Sequence, residues 1–146
     1  PTTLTVSASP SEGSIDVLTR AATTIMISGS IDLGISTTIQ LQFGRRDSYG
    51  QTVVFDSSMV STSNAGEFST SFVPPSSGDY TIELSFLGDD RYGASSAETS
   101  VTVKDNYITL IIALAVVIGT IVVLALYFLQ KRIDRKKGIV LKAPLV

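Results

Sequence analysis

Through residues 1–104, apolar side chains recur at every second position in short runs, and polar or turn-forming residues fill the gaps between them. Leu4, Val6 and Ala8 alternate with Thr and Ser; Ile25 and Ile27 mark a second run, and Ile39, Leu41 and Phe43 a third. Phe68, Thr70 and Phe72 share one face, while Tyr80, Ile82, Leu84 and Phe86 give the cleanest alternation. A period of two places alternate side chains on one face of a strand, so each run predicts a half-buried strand. Pro10-Ser11-Glu12-Gly13 breaks the first strand, and Ser63-Asn64-Ala65-Gly66 reads as a turn. Residues Gly44 to Gly50 read as a polar hairpin loop leading to Val53 and Phe55. Pro74 and Pro75 stop the strand ending at Phe72, because proline has no donor for a ladder. Val101 and Val103 close the set. Seven to eight strands, each with one apolar face, in about 100 residues predict an all-β sandwich of two sheets.

At Ile108 the pattern changes. Residues 108–129 run without a charge, and at 1.5 Å rise per residue such a helix reaches about 33 Å, enough for a hydrocarbon core of about 30 Å. A lone apolar segment satisfies its backbone in lipid only as a helix. Tyr107 and Tyr127 stand near its ends, where amphipathic rings favour the headgroup layer. The expected organisation is a sandwich over 1–104, a short junction at 105–107, a transmembrane helix at 108–129 and a basic tail at 130–146.

Charge orients this arrangement. The whole chain carries 11 Lys and Arg against 13 Asp and Glu, a net −2. That small number averages two opposite halves. Residues 1–106 hold five basic against twelve acidic side chains, a net −7, and the tail holds six basic against Asp134 alone, a net +5. Lys131, Arg132, Arg135, Lys136 and Lys137 follow the apolar run directly, as a stop-transfer anchor that also meets anionic headgroups. The positive-inside rule therefore predicts a single-pass protein of the plasma membrane, its N-terminal domain extracytoplasmic and its tail cytoplasmic. A start at Pro1 fits a mature form with its signal peptide removed and equally a segment of a longer chain. The apolar end, Gly138 to Val146, suits a membrane surface or a docking partner.

The residue types that are missing narrow the chemistry. There is no Cys, His or Trp. No disulfide, thiolate metal site, cysteine nucleophile or Ser-His-Asp triad can be built, and no cofactor is expected. Acidic residues in predicted loops, Asp32, Asp47, Asp56, Asp79 and the pair Asp89-Asp90, are the right ligand type for calcium. None has the spacing of a calcium loop, and solvated turn carboxylates are the plainer reading, with Asp89-Asp90 the best candidate for a site. Paired carboxylates also serve glycoside hydrolysis, but a small sandwich offers little concave surface. No enzymatic activity is expected.

Two features bear on binding, each beside a plainer reading: a solvated hairpin tip for the first and a chance pair of small residues for the second. Arg45, Arg46 and Tyr49 form a cationic, aromatic stretch in an acidic domain, and both residue types favour interfaces. A domain at −7 repels nucleic acid, which leaves protein subunits, acidic glycans or a surface layer as partners. Within the apolar run, Ala115 and Gly119 form a small-xxx-small pair with Thr120 beside it, which lets a second helix approach closely.

The segment Ser76-Ser77-Gly78-Asp79-Tyr80-Thr81-Ile82 resembles the entry to strand F of immunoglobulin-like domains, where a Tyr bonds backbone at the sheet corner. Together with Asn64-Ala65-Gly66-Glu67-Phe68, Pro74-Pro75 and Gly88-Asp89-Asp90-Arg91-Tyr92, residues 2–104 resemble immunoglobulin-like repeats of bacterial and archaeal surface proteins. The resemblance implies a cysteine-free immunoglobulin-like β-sandwich, with Ile82 where antibody domains place a disulfide Cys. The fold hosts many activities and implies none of them. The expected role is that of a non-catalytic accessory or structural subunit of a membrane complex, in contact with the bilayer and with other membrane-protein subunits. The alternative is a cell-surface module for adhesion, ligand recognition or surface-layer anchoring.

Overall fold

A computed structural model describes residues 1–141, with side chains to residue 138. The expectation for the apolar end, residues 138–146, falls largely outside this range: residues 142–146 lie beyond the described residues, and 139–141 are described by backbone alone. The order is β1 (Leu4–Ser9), β2 (Glu12–Asp16), β3 (Ile25–Ile31), β4 (Thr38–Arg46), β5 (Thr52–Ser61), β6 (Glu67–Phe72), β7 (Gly78–Phe86), β8 (Ser95–Asn106) and α1 (Ile108–Leu141). Residues 1–106 form one compact unit and the helix another.

The strands divide into a three-stranded sheet, β1-β3-β6, and a five-stranded sheet, β2-β8-β7-β4-β5. Neighbours are antiparallel except β2 and β8, which run parallel with Glu12 opposite Thr102. Pro10-Ser11 is therefore less a stop than a change of sheet: the chain leaves β1 in one sheet and resumes as β2 in the other.

Both sheets supply a single core. Ile25 and Ile27 from β3, Ile39 and Leu41 from β4, and Ile82 and Leu84 from β7 are fully buried or nearly so. Phe43 of the larger sheet stacks on Phe72 of the smaller, with ring centroids 4.7 Å apart. Tyr80 meets Phe72 edge-on at 5.4 Å, an arrangement aromatic quadrupoles favour. The Tyr80 hydroxyl donates to the Ser76 carbonyl at 2.6 Å and accepts from the Ser76 N–H at 3.2 Å. The buried ring thus keeps its one polar atom satisfied by the backbone four residues upstream, the contact that the strand-F resemblance implies.

Connections are tight and locally closed. The turn after β5 ends at Gly66, whose φ of +81° suits glycine; its N–H donates to the Ser63 carbonyl at 2.9 Å. Asp16, almost buried at the end of β2, accepts from the N–H groups of Leu18 and Thr19 at 3.0 and 2.7 Å. Thr62, also buried, accepts from the Thr37 N–H at 2.9 Å and so fixes the chain entering β4.

Two expected boundaries shift. The junction narrows to Tyr107, since β8 continues to Asn106 and α1 begins at Ile108. The helix does not end at Leu129: Lys131 to Lys137 lie on the same continuous helix, which offers the basic side chains no irregular backbone to follow. By length and composition α1 can cross a membrane, with mean hydropathy 3.0 in its apolar window and none of that window buried.

Candidate functional site

The least covered apolar surface of the N-terminal domain lies along β5. In the β4–β5 ladder Gly44 faces Val54 and Phe43 faces Asp56, which leaves Phe55 as an extra residue, a bulge. The bulge turns the Phe55 ring toward the smaller sheet, 6.3 Å from Phe72 and 5.9 Å from Tyr80. The inner face of β5 otherwise meets no opposing strand among the described residues, because the smaller sheet stops at β6. Phe55 is therefore 46% exposed and Val53 53%, and Val73, just past the end of β6, is 58% exposed.

Two grooves of about 600 and 540 Å³ follow this flank and share Phe55 and Pro75. Arg45, Arg46, Asp47 and Val53 line the first, and Phe43, Asp56, Thr70 and Phe72 the second. Together they make one trough, apolar on its floor, cationic at one end and with a carboxylate partway along. Asp56 receives no hydrogen bond or ion pair among the described residues. The alternation of Ile39 to Phe43 pointed to the core beneath this trough, and Val53 and Phe55 were expected on a strand. Their exposure was not visible in the pattern, because it depends on how many strands the opposite sheet contains.

The expected loop of Arg45, Arg46 and Tyr49 needs correction. β4 extends through Arg46, so both arginines are strand residues and the loop shrinks to Asp47–Gln51. An Asp47 carboxylate oxygen shapes that loop by accepting from the N–H groups of Tyr49 and Gln51 at 2.9 and 2.8 Å. Arg45 leans across the corner before β7, and its Nη2 donates to the Ser77 carbonyl at 2.8 Å. Gly78, with φ +142°, leaves room for it: a Cβ there would stand 2.8 Å from the Arg45 Nε. Arg45 is thus a clamped guanidinium at the end of the trough, with one of its five donors committed. Arg46 is exposed at the border of the first groove, and Tyr49 stands 89% exposed at the hairpin tip without lining the trough.

The acidic loop residues are not brought together. Among the described residues no group of three or more potential metal-binding side chains converges. An Asp89 carboxylate oxygen accepts from the N–H groups of Arg91 and Tyr92, both at 2.8 Å, which is turn chemistry. Asp79 accepts from the Thr102 hydroxyl at 3.0 Å across β7 and β8.

On α1, Ala115, Gly119 and Thr120 are exposed, and nothing lies within 4 Å of where a Gly119 Cβ would be. The Thr120 hydroxyl donates to the Val116 carbonyl at 2.8 Å, which removes its need for a partner in an apolar setting. Tyr107 and Tyr127 are half exposed, and the Lys131 ammonium lies 6.0 Å from the Tyr127 ring centroid.

No family model matches the chain. No curated protein matches it. Among solved structures, a β-glucosidase from Listeria innocua is 13% identical over 70% of this chain and 16% of the glucosidase, with a TM-score of 0.38. A CARDB domain from Pyrococcus furiosus, solved in complex with di-metal ions, is 17% identical over 72% of this chain and 96% of that domain, at a TM-score of 0.39. The chain spans a small fraction of the glucosidase, and both likenesses are too loose to carry an activity or a ligand across. What stands is a mostly β protein of two sheets and eight strands, followed by one long apolar helix.

Proposed function

We propose that this protein is a non-catalytic, single-pass subunit of a larger membrane complex, anchored by α1, with an extracytoplasmic immunoglobulin-like sandwich that contacts its partners. The observation that carries this reading is the junction. β8 ends at Asn106 and α1 begins at Ile108, so one residue separates the β-domain from the apolar helix. A receptor that samples ligands away from its own membrane needs a tether, and this chain has none between the two units. The sandwich reading is supported by strand order: β1, β3 and β6 correspond to A, B and E, while β4, β5, β7 and β8 correspond to C, C′, F and G. The Tyr80–Ser76 contact stands where that fold has its corner tyrosine. The charge split of −7 and +5 supports an N-out topology in the plasma membrane.

Extraction in mild detergent followed by mass measurement tests the proposal. A stoichiometric set of membrane subunits is expected, and a monodisperse lone chain would defeat it. Gly119→Leu fills the close-approach face of α1 and should reduce partner retention severalfold, without altering the β-domain. A complex that survives this change intact removes the helix face from the interface.

The second reading, a cell-surface binding module for a ligand, glycan or surface layer, draws on the open trough at β5 and β6. It predicts a lone chain in detergent that still binds an external partner.

A further inference from the structure

The trough is more specific than an exposed apolar patch. β6 pairs with β3 along one edge only, so the other edge of Glu67–Phe72 lies beside the trough; Glu67 is already bonded to Ser63 through its N–H and its carbonyl, and the residues after it present their outward backbone groups. Six residues of strand span about 20 Å. The inner face of β5, with Val53 and Phe55, overhangs that same edge. A strand laid on β6 would become a fourth strand of the smaller sheet and cover Phe55, Val53 and Val73 at once.

β5 also has a free edge, but it is guarded. Its bulge at Phe55 disrupts the regular pleat, and Asp56, which shares a face with buried Phe43, puts a charge toward the inside. Both devices hinder edge-to-edge pairing with a second copy. β6 has neither: it is regular, free of proline, and charged only at Glu67.

Charge then defines what lies on it. In a domain at −7, Arg45 and Arg46 supply two of the five cations, and both border one end of the trough, where the Asp47 carboxylate, bonded to the Tyr49 and Gln51 N–H groups, offsets one of them and leaves a net positive end. Two ladder steps from Arg45, about 7 Å by strand rise because the bulge at Phe55 adds a residue without advancing the register, Asp56 stands among Phe43, Phe55 and Phe72 without a cation. An occupant therefore matches with a carboxylate at the arginine end and, two residues along on the same face, an ammonium or guanidinium near Asp56. Half-exposed ion pairs contribute little to affinity but strongly favour one register over another.

We propose that the β5–β6 trough receives an extended polypeptide segment of a partner protein, added to β6 by strand augmentation and held in register by Arg45, Arg46 and Asp56. The mode is a known use of sheet edges, in which backbone bonds give affinity and alternate side-chain sites give selectivity. The proposal rests on the reading of this domain as one that contacts partner proteins, and it names the chemistry of the contact.

The test uses the full chain in lipid nanodiscs and a labelled synthetic peptide, acetyl-Val-Thr-Glu-Thr-Lys-Thr-Val-amide, with fluorescence anisotropy as the readout. The control exchanges its Glu and Lys. Saturable binding in the range of about a millimolar or tighter is expected for the first peptide, and about tenfold weaker binding for the control. Arg46→Glu should weaken the first peptide and narrow the gap to the control, and Phe55→Ser should weaken both. Tyr49→Ala should change neither. Hydrogen exchange should slow at β6 amides when the first peptide binds.

Equal binding of the two peptides, no saturation, or protection confined to another strand would each overturn the proposal. So would a dimer in nanodiscs that Arg46→Glu dissociates, since the occupant would then be a second copy. These results are separable from the detergent experiment: a lone chain there leaves peptide binding intact, and an intact complex there does not depend on the peptide.

Discussion

The two flanks of the N-terminal domain are finished in opposite ways. On one, the chain passes from β1 to β2 across Pro10 and Ser11, so a single stretch of backbone edges both sheets. β1 lies against β8 there, and Ile15 of β2 is 2% exposed. On the other flank the crossing from β5 to β6 takes only residues 62–66, and β5 overhangs a sheet that has ended. The exposure of Phe55 and Val53 is therefore a matter of strand number, and adding apolar residues elsewhere in the chain would not cover them. A small domain can close one side with its own backbone and leave the other for a partner.

If that contrast is right, Ile15→Ala should destabilise the domain by about 2–4 kcal/mol through the cavity it leaves. Phe55→Ala should cost less than about 1 kcal/mol, since half of its ring already meets solvent. Denaturant titration of the full chain in micelles, followed by tyrosine fluorescence, measures both. Equal losses would erase the difference between the flanks.

A smaller effect is expected at the corner that terminates the open flank. Tyr80→Phe removes the hydroxyl that bonds Ser76 and should cost about 1–2 kcal/mol. The same variant leaves the Phe43–Phe72 stack in place, so a larger loss would mean that the corner organises the aromatic cluster.

The smallest effect lies between the flanks. Glu83 and Glu98 stand directly opposite one another on β7 and β8, and like charges in that position repel. Glu98→Lys should stabilise the domain by about 0.5 kcal/mol at low salt, and the gain should fade as ionic strength rises. A gain independent of salt would point to packing as its source.

Much of this fold was legible because local pattern and global burial agree. Tyr80, Ile82, Leu84 and Phe86 alternate in sequence and are all buried, and the same holds for Ile39, Leu41 and Phe43. β2 was not legible: Glu12, Gly13 and Ser14 carry no strand signature, and the segment is held by a parallel partner about 90 positions away. Arg45 and Arg46 read as loop residues because Gly44 resembles a turn signal, whereas Gly44 lies at the bulge register within a strand. The open trough was hidden for a different reason. Tyr49 drew the eye by residue type, yet the trough is made by Phe55, Asp56 and the edge of β6, whose proximity is set by sheet topology. The run Phe55-Asp56-Ser57-Ser58-Met59 carries one available hint, since its alternation falters where the bulge occurs.

The single-residue handover from β8 to α1 also has a mechanical side. β8 is paired along both edges, antiparallel to β7 and parallel to β2. Tension applied along β8 through the anchor would load these two ladders in shear, so that many hydrogen bonds share the force before any one breaks. A tug along the strand axis would then meet the part of the sheet best arranged to resist it.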